Sequence, residues 1–90
     1  GNYKIHIPGT LWLYGEYNEV GIWLCKTNKA YLEFEALIFN RWGKLIHEQN
    51  SSLDAWKPSN EQFGTFYYAL RIKWSPSYEE KFSGNIFVVR

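Results

Sequence analysis

Methionine is absent from this chain of 90 residues, and cysteine occurs once, at Cys25. A lone thiol closes no internal disulfide, so no cystine framework holds the fold, and the cysteine count does not fix a redox compartment. Cys25 ends the apolar run Val20-Gly21-Ile22-Trp23-Leu24-Cys25, with no paired base or cation at short range. It is expected to be a small buried hydrophobe, because a nucleophilic thiolate needs an electropositive and partly exposed setting. A preponderance of one charge is lacking too: ten Lys and Arg oppose nine Asp and Glu, for a formal net charge of +1. Such a scattered balance offers no footprint for a phosphate backbone, and no nucleic-acid partner is expected. Long hydrophobic runs are also missing. Ala36-Leu37-Ile38-Phe39 and Ile86-Phe87-Val88-Val89 fall far short of the roughly 20 residues that span a bilayer, so no transmembrane segment is expected. No signal-peptide pattern is found, and the chain opens on Gly1 rather than Met, so the original N-terminus is expected to lie elsewhere.

What the chain does have is rings: five Trp, seven Tyr and six Phe make 20% of it. A domain of this size buries roughly 60 to 65% of its unfolded surface. Each buried ring removes about 150 to 250 Å² from water, which suits a core of few side chains. A single folded domain over residues 1–90 is expected.

The periodicity is that of strands. From Ala30 to Phe39, Leu32, Phe34, Ala36 and Ile38 share one face, while Glu33 and Glu35 share the other beside Tyr31. From Thr65 to Trp74, Phe66, Tyr68, Leu70, Ile72 and Trp74 alternate with Thr65, Tyr67, Ala69, Arg71 and Lys73. Shorter runs at Tyr3 to Ile7, Thr10 to Tyr14, Val20 to Cys25, Lys44 to Glu48 and Phe82 to Val89 complete the set, separated by turn residues that include Lys26 to Lys29 and Ser75 to Ser77. No segment carries a helical stripe. The fold class predicted is all-β: a small antiparallel, immunoglobulin-like sandwich of about seven strands. The stretch Asn40-Arg41-Trp42-Gly43-Lys44 reads as a three-residue hairpin loop with a bulge, Gly43 supplying the positive φ. In the connection from Gln49 to Gly64, Leu53, Trp56 and Phe63 are expected to pin the loop to the sandwich.

Candidates for chemistry are few. Glu33 and Glu35 lie about 7 Å apart by strand rise, near the carboxyl separations of glycosidases, but strand neighbours usually point in parallel into water. His6 and His47 lack a second ligand at metal spacing, and the serines lack a nearby base. No catalytic residue, metal or cofactor is expected. Trp12, Tyr14, Tyr17 and Trp23 crowd the N-terminal third, where they fill the core or, if exposed, form a platform for a surface glycan.

At Ile38-Phe39-Asn40-Arg41-Trp42-Gly43-Lys44-Leu45-Ile46 the chain resembles the gliding motility-associated C-terminal domain of Bacteroidetes, the type B sorting domain of the type IX secretion system. Asp54-Ala55-Trp56 stands where that family has Gly-Trp-Asp-Gly, although Lys57-Pro58 comes next. Gly64-Thr65-Phe66-Tyr67-Tyr68 looks like its Gly-Thr-Tyr-Tyr strand start, and Ser83-Gly84-Asn85-Ile86-Phe87-Val88-Val89-Arg90 like its closing Lys-Gly-x-Val-x-Leu-Ile-Arg. The resemblance covers residues 31–90, with residues 1–30 as additional N-terminal strands. It implies a non-catalytic module of an exported protein, secreted or held at the cell surface after crossing the outer membrane, and recognised by protein components of the secretion machinery. Asn40, Arg41, Trp42 and Gly43 would shape the hairpin or be read directly. Phe87, Val88, Val89 and Arg90 would meet the machinery, the closing strand offering unpaired backbone groups and Arg90 a cation for an acidic partner. The alternative is a carbohydrate-binding or adhesive module using Trp12, Tyr14, Tyr17 and Trp23.

Overall fold

A computed structural model describes residues 2–14 and 21–90. The alternating pattern becomes strands β1 (Ile5–His6), β2 (Thr10–Trp12), β3 (Lys26–Thr27), β4 (Glu33–Phe39), β5 (Leu45–Gln49), β6 (Gly64–Ser75) and β7 (Tyr78–Val89). No helix occurs among the described residues. A five-stranded sheet runs in the order β2-β7-β6-β4-β5, and β1 pairs with β3 in a second, small sheet. The all-β sandwich read from the periodicity is what forms.

One face of the large sheet carries the core. Phe34, Ala36 and Ile38 from β4, Phe66, Leu70, Ile72 and Trp74 from β6, Ile86 and Val88 from β7, and Leu11 from β2 are all buried. Each such aliphatic side chain stabilises the fold by about 1.5 to 3 kcal/mol before chain entropy is set against it. The facing layer is mostly irregular. Trp23 and Trp56 exchange backbone hydrogen bonds at 2.8 and 3.1 Å, and their rings pack on Tyr68 and Phe66. Tyr3 stacks on Trp74 at 4.9 Å.

Several expectations need correction. Val20 to Cys25 is not a ladder: among its described residues Trp23 alone forms a bridge, and pairing resumes at Lys26–Thr27, within residues whose composition reads as a turn. Trp23 and Cys25 still alternate inward, so the hydrophobic period is kept without a neighbouring strand. Leu32 precedes β4 and is exposed, while Tyr31 turns in to bond Ser52. Leu53, 91% exposed, and Phe63 do not pin the long loop; Trp56 does, with Gln49 donating to the carbonyls of Ser51 and Asp54. The sheet is not wholly antiparallel, since β2 runs parallel to β7 in the register Thr10↔Phe87, Leu11↔Val88 and Trp12↔Val89. Finally, β7 starts at Tyr78 because its charged residues have cross-strand partners: Glu79 meets Arg71 at 2.9 Å.

Gly84 in β7 lies directly opposite Tyr68 of β6. A Cβ there would meet the tyrosine ring at 3.0 Å, so the ring fills the space a side chain would need.

Candidate functional site

Register places the motif residues at one end of the large sheet. Phe39 lies opposite Tyr67, which lies opposite Asn85, and two pairs further along Thr65 faces Phe87. The segments after Phe39, before Gly64 and after Val89 therefore project from the same end, and so does the segment after Trp12, the partner of Val89.

The hairpin is built by two of its four motif residues. Asn40 Oδ1 accepts from the backbone N–H of Trp42 at 3.0 Å and of Lys44 at 2.9 Å. The Gly43 N–H donates to the Asn40 carbonyl, the Asn40 N–H donates to the Lys44 carbonyl, and Gly43 has φ +86°. Arg41 and Trp42 contribute no side chain to these bonds. Trp42 is 75% exposed, and the Arg41 guanidinium lies over its ring, 4.2 Å from the centroid.

Along the closing strand the positions divide again. Val88 is buried in the core, whereas Phe87 is exposed on the outer face. The Phe87 N–H donates to the Gly9 carbonyl at 2.9 Å, and the Leu13 N–H donates to the Val89 carbonyl at 2.8 Å. With β6 on the other side of Phe87 and Val88, these two are flanked on both edges and Val89 on the β2 edge, so the stretch offers no free row of backbone groups. Arg90 lies beyond the ladder, its guanidinium 4.9 Å from the Phe63 ring centroid. Phe63 therefore joins this end of the molecule, although the sequence suggested an anchor; its neighbours Glu61, Gln62 and Gly64 carry no alternation that would turn it inward.

Charge is arranged differently at the two ends. At the far end Arg71 meets Glu79 at 2.9 Å and Glu33 at 3.9 Å, and Lys73 meets Glu33 at 3.7 Å. The hydrogen bond from Arg71 holds the Glu79 carboxyl below its ordinary range. Glu33 and Glu35 are exposed on the outer face, Glu33 within this ion-pair network. At the motif end, by contrast, neither Arg41 nor Arg90 has a carboxylate within 4.0 Å among the described residues.

The remaining candidates separate. Trp12 and Tyr14 are exposed, but Trp23 is fully buried with its indole N–H donating to the Pro8 carbonyl, and Tyr17 lies outside the described residues. Trp23 thus adds no ring to a platform. His6 is exposed and His47 bonds Gln49 at 2.8 Å. Among the described residues no three His, Cys, Asp or Glu side chains gather as metal ligands, and no helix is long and apolar enough to cross a membrane. Burial pushes the Cys25 thiol up to about 12.

The sequence signature of the CHU_C Type IX secretion signal domain matches residues 16–88, well over half the chain. The chain belongs to that family. No curated protein and no solved structure matches it. A type IX secretion signal domain is a non-catalytic sorting module that interacts with the secretion machinery, and the protein carrying it is exported, to the cell surface or beyond.

Proposed function

We propose that the type IX secretion signal domain is recognised at the motif end of the sheet, through Arg41, Trp42, Phe87 and Arg90. Asn40, Gly43, Val88 and Val89 serve that surface by holding its backbone. One observation carries the reading: within a single hairpin motif, Asn40 and Gly43 satisfy the turn while Arg41 and Trp42 are left exposed, the guanidinium over the ring. Burying no more than each other, an exposed Trp and Arg contribute little to folding, so a role outside the fold accounts for them best. The whole span 1–90 is read as one working unit. Its support is the pairing of β2 with β7, which builds an N-terminal strand into the sheet that bears the motifs. Action without catalysis is part of the same reading, supported by the solvated ion pairs of Glu33.

The test is export of a reporter fused to residues 1–90 in a host with type IX machinery. Arg41→Ala/Trp42→Ala and, separately, Arg90→Ala should cut the extracellular reporter several-fold while the purified domains unfold at the unaltered midpoint. Full export by both variants would end the reading.

A further inference from the structure

Between the β4–β5 hairpin and the segment leading into β6 lies a cleft of about 290 Å³. Arg41 and Trp42 form one wall and Glu61 and Phe63 the other, with Ile46 and Phe66 among the lining residues. The Arg90 guanidinium lies 4.9 Å from the Phe63 ring centroid, so an arginine sits over the aromatic ring of each wall, Arg41 as part of the lining and Arg90 just outside it. We infer that this cleft docks an acidic peptide segment of a partner protein, one that alternates carboxylate and apolar side chains. The inference rests on the recognition surface proposed above and names the chemistry of what binds there.

Three features support it. First, a guanidinium placed over a ring leaves N–H groups at its edge for a ligand, and that planar fork is the geometry a carboxylate takes bidentately. Ordering the side chain in advance also lowers the entropy lost on binding. Second, the arginines at this end are without carboxylates among the described residues, while Arg71 at the other end is already paired. Two cations without an ion-pair partner among the described residues, beside a cleft and with Lys44 near Arg41 in the hairpin, complement a negative partner. Third, Ile46 and Phe66 give the cleft an apolar lining between the charged walls. A phosphate or a sulfated sugar would satisfy the arginines and leave that lining uncovered, whereas an acidic peptide with apolar residues between its carboxylates covers both. Glu61 is the one carboxylate among the lining residues, and it opposes such a ligand.

Isotope-labelled domain is titrated with a ten-residue peptide of alternating Glu and Phe, with the matching Lys and Phe peptide and with heparin as controls. Backbone amide shifts should move at residues 40–44 and 61–66 with the acidic peptide alone. Arg41→Ala/Arg90→Ala should weaken it about tenfold or more, and Arg41→Lys/Arg90→Lys should weaken it as well, since charge survives but the fork does not. Glu61→Gln should tighten it, and raised salt should loosen it. Equal binding of the Lys peptide, shifts confined to another face, an unchanged affinity in the double Ala variant, or binding of heparin in place of the peptide would each overturn the inference. The two readings fail separately: lost reporter export with no peptide binding removes the acidic partner alone, and peptide binding with full export removes the recognition surface.

Discussion

Asn40 and Arg41 are adjacent in one motif and do opposite work. Asn40 closes the hairpin with its side-chain oxygen, and Gly43 supplies a left-handed φ of +86° with nothing within 4 Å of where a Cβ would sit. The strain of a substitution at Gly43 is therefore that of the backbone alone. Gly43→Val should cost about 1 to 2 kcal/mol, and Gly43→Asn less, because a short amide tolerates the left-handed region. Asn40→Ala should cost about 1 kcal/mol by leaving two turn N–H groups to water. Arg41→Ala and Trp42→Ala should each change stability by no more than about 0.5 kcal/mol. Urea unfolding of the five domains would check this order; a Trp42→Ala variant as unstable as Gly43→Val would mean that the ring supports the fold. The sequence displayed the hairpin, since Asn, Gly and the bulge spacing are local chemistry. It did not display which motif residues face water, because that depends on the segment packed beside them.

At the scale of elements, β4 and β6 were legible because a period of two over seven or more residues has a single structural reading. Where periodicity persists without a ladder, as at Trp23 and Cys25, burial is readable but pairing is not, because the partner is a lone residue, Trp56, across a long loop. The parallel contact of β2 with β7 was hidden for the same reason: alternation reveals faces and says nothing of neighbours. That contact bears on how the closing motif can be probed. Deleting residues 88–90 removes Val88 from the core and takes the partner strand from Leu11 and Trp12, a loss of about 2 kcal/mol or more. Circular dichroism of such a truncation should show a less stable sheet, so reduced export of it would say nothing about recognition; Arg90→Ala asks the question without that loss. The glycine of the motif has its own reason. Gly84→Val would drive a branched side chain into the Tyr68 ring, which is backed by Trp23, and should lower stability by about 1 to 3 kcal/mol. Pairing it with Tyr68→Ala, which empties that space, should recover part of the loss; additive costs would disprove the steric account.

Across the whole molecule, an exported domain meets oxidising surroundings with one thiol, and the fold deals with it by burial. Cys25 is only 3% exposed, and desolvation pushes its thiol up to about 12. Buried among apolar neighbours it stays protonated and out of reach of another chain, so the native domain should not react with a thiol reagent at pH 8, and should do so once unfolded in urea. The same burial makes stability fall with alkaline pH, and the sign comes from proton counting. Below about pH 9 the thiol is protonated in both states and has no effect. Between about pH 9 and 12 the unfolded chain gives up the proton while the folded chain keeps it, so the unfolded state binds fewer protons and unfolding becomes easier as pH rises. The slope from this one group approaches about 1.4 kcal/mol per pH unit within that window. Tyr68 also titrates high in the folded state, chiefly through burial, and adds a slope of the same sign. Subtraction isolates the thiol together with its charge coupling to Tyr68. Cys25→Ala should be less stable than the parent at pH 7 because it leaves a gap in the core, and the difference should shrink between pH 9 and 11 as the parent alone loses the thiol's contribution. Urea midpoints for both domains at half-unit pH steps would decide it: parallel curves across that window would mean that Cys25 ionises as readily folded as unfolded, and that the core around it is open to water.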